Sequence, residues 1–134
     1  GMKVLDLFGG TGNHSYEFIS RGCNDVTYVD KFGGCISFVK QTARDLEIEN
    51  KINIVRGDVF KFIETTHLKF DYIFCGPPYP LPRLADLPDL IFKHELLAEE
   101  GWAVVEHNAI NDFKKHEHFF DERKYGGTIF SFFK

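Results

Sequence analysis

The residues of this chain best suited to chemistry fall at four places, each tied to a short apolar run. Asp6 stands inside Lys3-Val-Leu-Asp-Leu-Phe8, which Gly9-Gly10-Thr11-Gly12 stops. Asp30 ends the run Asp25-Val-Thr-Tyr-Val-Asp30, and Gly57-Asp58 follows Lys51-Ile-Asn-Ile-Val-Arg56. Gly76-Pro77-Pro78-Tyr79 breaks off Phe70-Asp-Tyr-Ile-Phe-Cys75. A glycine turn lets backbone N–H groups approach a ligand and opens the next helix toward it. Asp30, 18 residues beyond Gly12, is placed to accept ribose hydroxyls; a solvated carboxylate at a strand end suits the position equally well. Asp58 reads as an acceptor for a ligand amine, as the N-cap of a helix, or as both. A carboxylate buried in an apolar run must find donors, so Asp6 faces either the turn's amides or a ligand's ammonium. Two prolines fix an extended turn whose carbonyls no neighbouring N–H claims, and Tyr79 offers a flat face to a planar ligand.

Several other sites are excluded by type and spacing. A dinucleotide G-x-G-x-x-G started at Gly10 needs glycine where Ser15 stands, and no Gly-Lys-Ser/Thr makes a phosphate loop. No G-x-S-x-G elbow supports a serine nucleophile. His116-Glu-His118 puts two imidazoles on one side of an expected strand, but without a third ligand the expectation is no metal site. Of the six histidines, only His14 falls beside the glycine turn.

The elements that must position these groups alternate along the chain. Strands are expected at 3–8, 25–30, 51–56, 70–75 and 101–106, the first four ending at the features above. Helices fill the gaps: about His14 to Arg21, closed by Gly22; a stretch with Ile36, Val39, Ala43 and Leu46 at helical spacing; Val59 to Thr66; and a fourth marked by Leu87, Leu90, Ile91, His94 and Leu97. His118 to Lys134 reads as two strands joined near Arg123 to Gly127, antiparallel because the join is short. Strand–helix alternation implies right-handed crossovers, helices on both faces and a parallel sheet. The expected class is α/β: a Rossmann-like, doubly wound, mostly parallel seven-stranded sheet ending in an antiparallel hairpin. Ligands bind such sheets at the carboxyl ends of the strands, where all four features converge. Phe130 to Phe133 alternates rings on both faces, which suits a strand covered on both sides or, less simply, a dimer edge.

With 134 residues, the chain is expected to form one domain over 2–134, Gly1 being a tag remnant. The 43% hydrophobic and 27% charged composition is that of a globular protein. A net charge of −4 is not the basic footprint of a domain held by phosphates alone; Lys114, Lys115, Arg123 and Lys124 keep some local basic character, which an ordinary solvated face also explains. Cys23, Cys35 and Cys75 form no C-x-x-C pair, so reduced thiols and a cytoplasmic location are expected. No apolar run is long enough to span a membrane. Cys75 reads as a small buried hydrophobe.

Val4-Leu-Asp-Leu-Phe-Gly-Gly-Thr-Gly12, Ser20-Arg-Gly-Cys23 with a strand ending in Asp30, Gly57-Asp58, Asp71-Tyr-Ile-Phe74, the Pro-Pro-Tyr loop, Val105-Glu106 and Lys124-Tyr-Gly126 together resemble a class I S-adenosylmethionine-dependent methyltransferase. The resemblance is to the bacterial small-subunit rRNA guanine-N2 methyltransferases, a group also described as N6-adenine DNA methylases. It implies S-adenosylmethionine as cofactor, an exocyclic base amine as acceptor, and rRNA as partner. It implies that Gly9 to Gly12 cradle the methionine end near Asp6, that Asp30 holds the ribose and Asp58 the adenine amine, and that Phe8, Lys31 and Val59 lie alongside. The Gly76-Pro77-Pro78-Tyr79 loop would face the acceptor, with the Pro77 carbonyl on the amine and Tyr79 on the base. Two departures stand out: the family's loop opens with Asp or Asn where this chain has Gly76, and the family's N-terminal extension is not in this sequence. They leave two other readings in play, a cofactor-binding homologue weakened in catalysis and a methyltransferase for an acceptor other than nucleic acid.

Overall fold

The computed structural model describes residues 1–78 and 80–134. Strands β1 (Lys3–Leu7), β2 (Asp25–Asp30), β3 (Ile52–Arg56) and β4 (Phe70–Cys75) alternate with helices α1 (Asn13–Ser20), α2 (Gly33–Asp45) and α3 (Val59–Thr65). A 3₁₀ turn at Leu84–Asp86 and helix α4 (Leu87–Lys93) lead into β5 (Leu97–His107), and β6 (Phe119–Tyr125) and β7 (Thr128–Phe133) finish the chain. The strands form one sheet in the order β3-β2-β1-β4-β5-β7-β6. The first five are parallel, and β7 inserts antiparallel between β5 and β6.

The central strands are near-continuous apolar runs because both their faces are covered. Leu5, Leu7, Ile73 and Val105 meet Ile63 of α3 and Leu87 and Ile91 of α4 on one face. Val4, Val26 and Tyr28 meet Ile19 of α1 and Ile36, Val39 and Ala43 of α2 on the other. Side-chain alternation puts Asp6 on the face of Val4, beneath α1.

Three local expectations are corrected. The fourth helix stops at Lys93 although Leu97 keeps its spacing. Glu95 turns into the left-handed region (φ 55°), the Leu96 N–H returns to the Ile91 carbonyl, and Leu97 then pairs with Phe70. β5 therefore begins at Leu97 and carries a bulge, its next partner on β4 being Tyr72, opposite Trp102. Gly101 is required there, since a Cβ would lie 2.9 Å from the Ala98 carbonyl oxygen and 3.0 Å from that of Phe70. His116 and His118 lie in the turn before β6, not on a strand. There they fasten the turn to α4: His116 Nε2 is 2.7 Å from Asp89 Oδ1, and the His118 ring stacks on Phe92 at 3.8 Å. Finally, β7 is buried on the face of Ile129, Ser131 and Phe133, but its Phe130 and Phe132 face is only half-buried, against other rings. Trp102 and Phe120, in contact with Phe132, stay 38% and 43% exposed.

The β6–β7 hairpin is tighter than the sequence implied, turning on Gly126-Gly127 with Gly126 at φ 60°. Its tip lies at the carboxyl end of β5, the edge to which β1–β4 deliver their strand-end residues.

Candidate functional site

β1 ends in a sharp reversal through left-handed residues, Phe8 at φ 60°, Gly10 at 56° and Gly12 at 87°. The Gly9 N–H bonds the Val29 carbonyl at 3.1 Å, and the Gly12 N–H closes back onto the Gly9 carbonyl at 2.9 Å. Glycine at position 9 answers to close approach: a Cβ would lie 2.2 Å from the Tyr28 ring. The Tyr28 hydroxyl donates to the Gly10 carbonyl, so a buried ring from β2 supports the turn from below.

Asp30 joins this turn to the start of α2. Its Oδ2 accepts from the Gly10 N–H at 2.9 Å and its Oδ1 from the Phe32 N–H at 3.0 Å, and the residue is only 7% exposed. A carboxylate has about four acceptor positions, so two remain for ligand hydroxyls. Asp58 caps α3, its Oδ1 accepting from the Lys61 N–H at 3.0 Å; the capping reading of this residue holds.

Asp6 is turned away from these groups. It is 1% exposed and accepts from the Ser15 hydroxyl at 2.7 Å, which holds α1 onto β1. Burial pushes its carboxyl up to about 6, against the opposing Ser15 hydrogen bonds. Cys75 is fully buried, and burial pushes its thiol up.

A cavity of about 760 Å³ opens between the ends of β1, β2, β3 and β4. Of the residues expected from sequence, Phe8, Gly10, Asp30, Lys31, Asp58, Val59, Gly76 and Pro78 line it; Asp6, Gly9, Thr11, Gly12 and Pro77 stand outside its wall. Tyr79 lies outside the described residues. Sequence reasoning missed Phe32, Cys35, Phe60 and the stretch from Pro80 to Arg83. Phe60 was within reach, being two residues past Asp58 in the same helix turn. Arg83 was not: its guanidinium lies 4.3 Å over the Phe60 ring, a contact between distant segments. A second depression, of about 730 Å³, lies at the opposite ends of the strands around Met2 and Cys23, away from the strand-end carboxylates.

On the other side of Gly76 the structure gathers rings. Phe74 packs so close that a Cβ on Gly76 would lie 2.9 Å from its Cε1. His14 stacks on Phe74, with centroids 3.7 Å apart. Among the described residues no three His, Cys, Asp or Glu side chains converge as a metal site would require, and no helix is long and apolar enough to cross a membrane.

The donor set suits an adenosyl cofactor. A bridging carboxylate has spare acceptor positions, a second carboxylate stands on the next strand's helix, and Phe8, Val59 and Phe60 supply an apolar wall. The chain is 32% identical over 111 residues to the Bacillus subtilis protein named "Putative rRNA methyltransferase YlbH", matching 81% of this chain and 60% of that one. It thus spans about three-fifths of the length of that relative. A conserved hypothetical protein of Streptococcus pyogenes has the same fold, with a TM-score of 0.89 at 24% identity over 99% of this chain and 85% of that one. So does the Escherichia coli protein titled "Putative methyltransferase yhhF", at 0.88 and 19% over 98% and 76%. The family model described as Conserved hypothetical protein 95 matches residues 1–134, and the chain belongs to that family, within the class I S-adenosylmethionine-dependent methyltransferase group.

Proposed function

We propose that residues 2–134 form a methyltransferase domain that uses S-adenosylmethionine to methylate an exocyclic base amine in ribosomal RNA, guanine N2 being the favoured atom. The observation that carries this reading is Asp30. It is a nearly buried carboxylate tying the glycine turn to α2 at the mouth of the cavity, with acceptor positions to spare.

In this reading Asp30 receives the two ribose hydroxyls, and Asp58, with one oxygen committed to its helix cap, receives the adenine amine. Val59 and Phe60 pack against the purine, and Phe8 and Gly10 border the methionine end. S-adenosylmethionine, held by these residues, would supply a sulfonium methyl for transfer to the amine, which would give up a proton while the sulfur would keep the bonding pair. The chain's task is to hold the acceptor nitrogen in line, an ordering worth up to about 7–11 kcal/mol. The Pro77-Pro78 loop, whose prolines carry no N–H of their own, contributes carbonyls to the acceptor. Lys114, Arg123 and Lys124, expected from sequence as a cationic contact for RNA, pair with Glu122 and Asp121 instead, on a chain of net charge −4.

The test is calorimetric titration with S-adenosylmethionine and S-adenosylhomocysteine, followed by methyl transfer from labelled cofactor to unmodified small-subunit rRNA, free and in reconstituted subunits. Micromolar binding with transfer to RNA supports the reading. A cooperatively folded chain that binds neither ligand refutes it.

Gly76 favours a second reading, a cofactor-binding homologue with weak catalysis, because the loop then lacks a side-chain acceptor. Gly76→Asp separates the two: a gain in transfer points to decay, and no gain or a loss points to a site adapted to glycine. The Phe74 ring, 2.9 Å from the added Cβ, leads us to expect no gain.

A further inference from the structure

Position 76 cannot supply a polar side chain, and the structure fills its place with an aromatic pair. Phe74, the ring that a Cβ on Gly76 would meet, is stacked on His14 at 3.7 Å and 28°. His14 is the second residue of α1, just past the glycine turn, so it reaches the carboxyl edge of β4 from the neighbouring helix. The rings continue along that edge. Phe74 is 6.4 Å from Phe130, and Phe130 is 5.9 Å from Tyr125, which is 68% exposed at the hairpin tip. The result is a row of rings beside Gly76, on the α1 side of the sheet, in which Phe74 is buried under His14 and Phe130 and Tyr125 reach the surface. A π-surface of this kind stacks bases without regard to sequence, at about 1–3 kcal/mol per base.

The row carries one imidazole. Burial lowers the His14 pKa from its ordinary 6.5, and the charged group facing it, Glu106 on β5, pulls the other way without prevailing. At neutral pH the ring is therefore neutral, and one of its nitrogens can accept a hydrogen bond.

We propose that His14 contacts the acceptor: a purine base lies against the exposed Phe130 and Tyr125 end of this row, and a His14 ring nitrogen accepts a hydrogen bond from its exocyclic amine. The inference rests on the methyltransferase reading above. His14 thus does from α1 what a side chain at position 76 does not. The lone pair of the amine stays directed at the methyl, and the proton released on transfer has a neutral base beside it.

Two variants separate contact from packing. His14→Phe keeps a ring on Phe74 but removes both nitrogens, and His14→Asn gives up the stack but returns an acceptor atom. Each is assayed for S-adenosylhomocysteine binding, thermal unfolding, and kcat and KM of methyl transfer to unmodified small-subunit rRNA, free and in reconstituted subunits. The expectation for His14→Phe is cofactor affinity within about twofold of wild type and a kcat lower by roughly 10²-fold, the low end for a positioned acid–base group. His14→Asn should keep more kcat than His14→Phe despite the lost stack. A His14→Phe chain that transfers at the wild-type rate overturns the proposal, as does one that loses cofactor affinity and kcat together. If wild type binds cofactor yet methylates neither RNA, the acceptor reading itself fails, and this proposal with it.

Discussion

Replacing Asp30 by alanine removes two backbone-to-carboxylate hydrogen bonds, from Gly10 N–H at 2.9 Å and Phe32 N–H at 3.0 Å. Both donors lie at the cavity edge, where water can replace the lost partner in part, so folding should lose only about 1–3 kcal/mol. For a chain of this size that appears as a fall in Tm of roughly 4–12 °C. The loss in ligand binding is separate. Two hydroxyls donating to a carboxylate are worth about 1.5–3 kcal/mol each, so affinity for S-adenosylhomocysteine should drop by at least about 100-fold. A weaker Kd alone would not establish the contact, because loosening the glycine turn would also weaken binding. The decisive assay is a cycle between protein and ligand. Methylthioadenosine and its 2′-deoxy counterpart are titrated into wild type and Asp30→Ala. Wild type should prefer the ribose form by at least about tenfold, and the variant should bind the two forms alike. If the preference is the same in both proteins, Asp30 is only a latch between β1 and α2, and the assignment of the ribose to it is wrong.

Two more predictions test how burial tunes the site. The Asp6 carboxyl is raised from 3.8 to about 6, so the folded state binds the proton more tightly than the unfolded one. Its stabilising contribution is complete below about pH 4 and is lost as pH rises through about 6, by up to about 3 kcal/mol at 1.36 kcal/mol per pH unit. Urea unfolding at pH 4 and pH 7.5 should show this decline, and Asp6→Asn should remove it. Among the thiols, Cys75 is buried with its pKa pushed up, whereas Cys23 and Cys35 are half-exposed. A thiol reagent at pH 8 should therefore modify Cys23 and Cys35 in the native chain and Cys75 only on unfolding. Because Cys35 lines the cavity, S-adenosylhomocysteine should protect it and leave Cys23 reactive.

The central strands β1, β2 and β4 were legible because they are covered on both sides. Each is a short apolar run that can be nothing else at that length, and each must end where the chain leaves the core. The strand-end residues Asp30, Asp58 and Gly76 therefore announced themselves by position alone. The errors came where tertiary contacts override local spacing. Leu97 continues the helical period of Leu90 and His94, yet it pairs with Phe70 because Glu95 can turn left-handed and Gly101 admits the bulge that follows. His116 and His118 alternate as strand residues do, but Asp89 and Phe92 of α4 claim them first.

The two sides of the site differ in the same way. The side proposed for the cofactor is built from residues adjacent in sequence to strand ends, so chain order and parallel topology bring Phe8, Gly10, Asp30, Asp58 and Val59 together around one cavity. The acceptor side depends on His14 meeting Phe74 and on Phe74 meeting Phe130, pairs separated by about sixty and fifty-six residues. No periodicity encodes such pairs; they arise because β4 lies next to β1 and is followed in the sheet by β5 and then β7. That order also gives the glycine at position 76 a physical reason. With Phe74 on the α1 face and its ring turned against the loop, a Cβ would lie 2.9 Å from Phe74 Cε1, so the ring would have to shift. Any polar group for an acceptor must then come from another element crossing the same edge, and α1 brings His14 there.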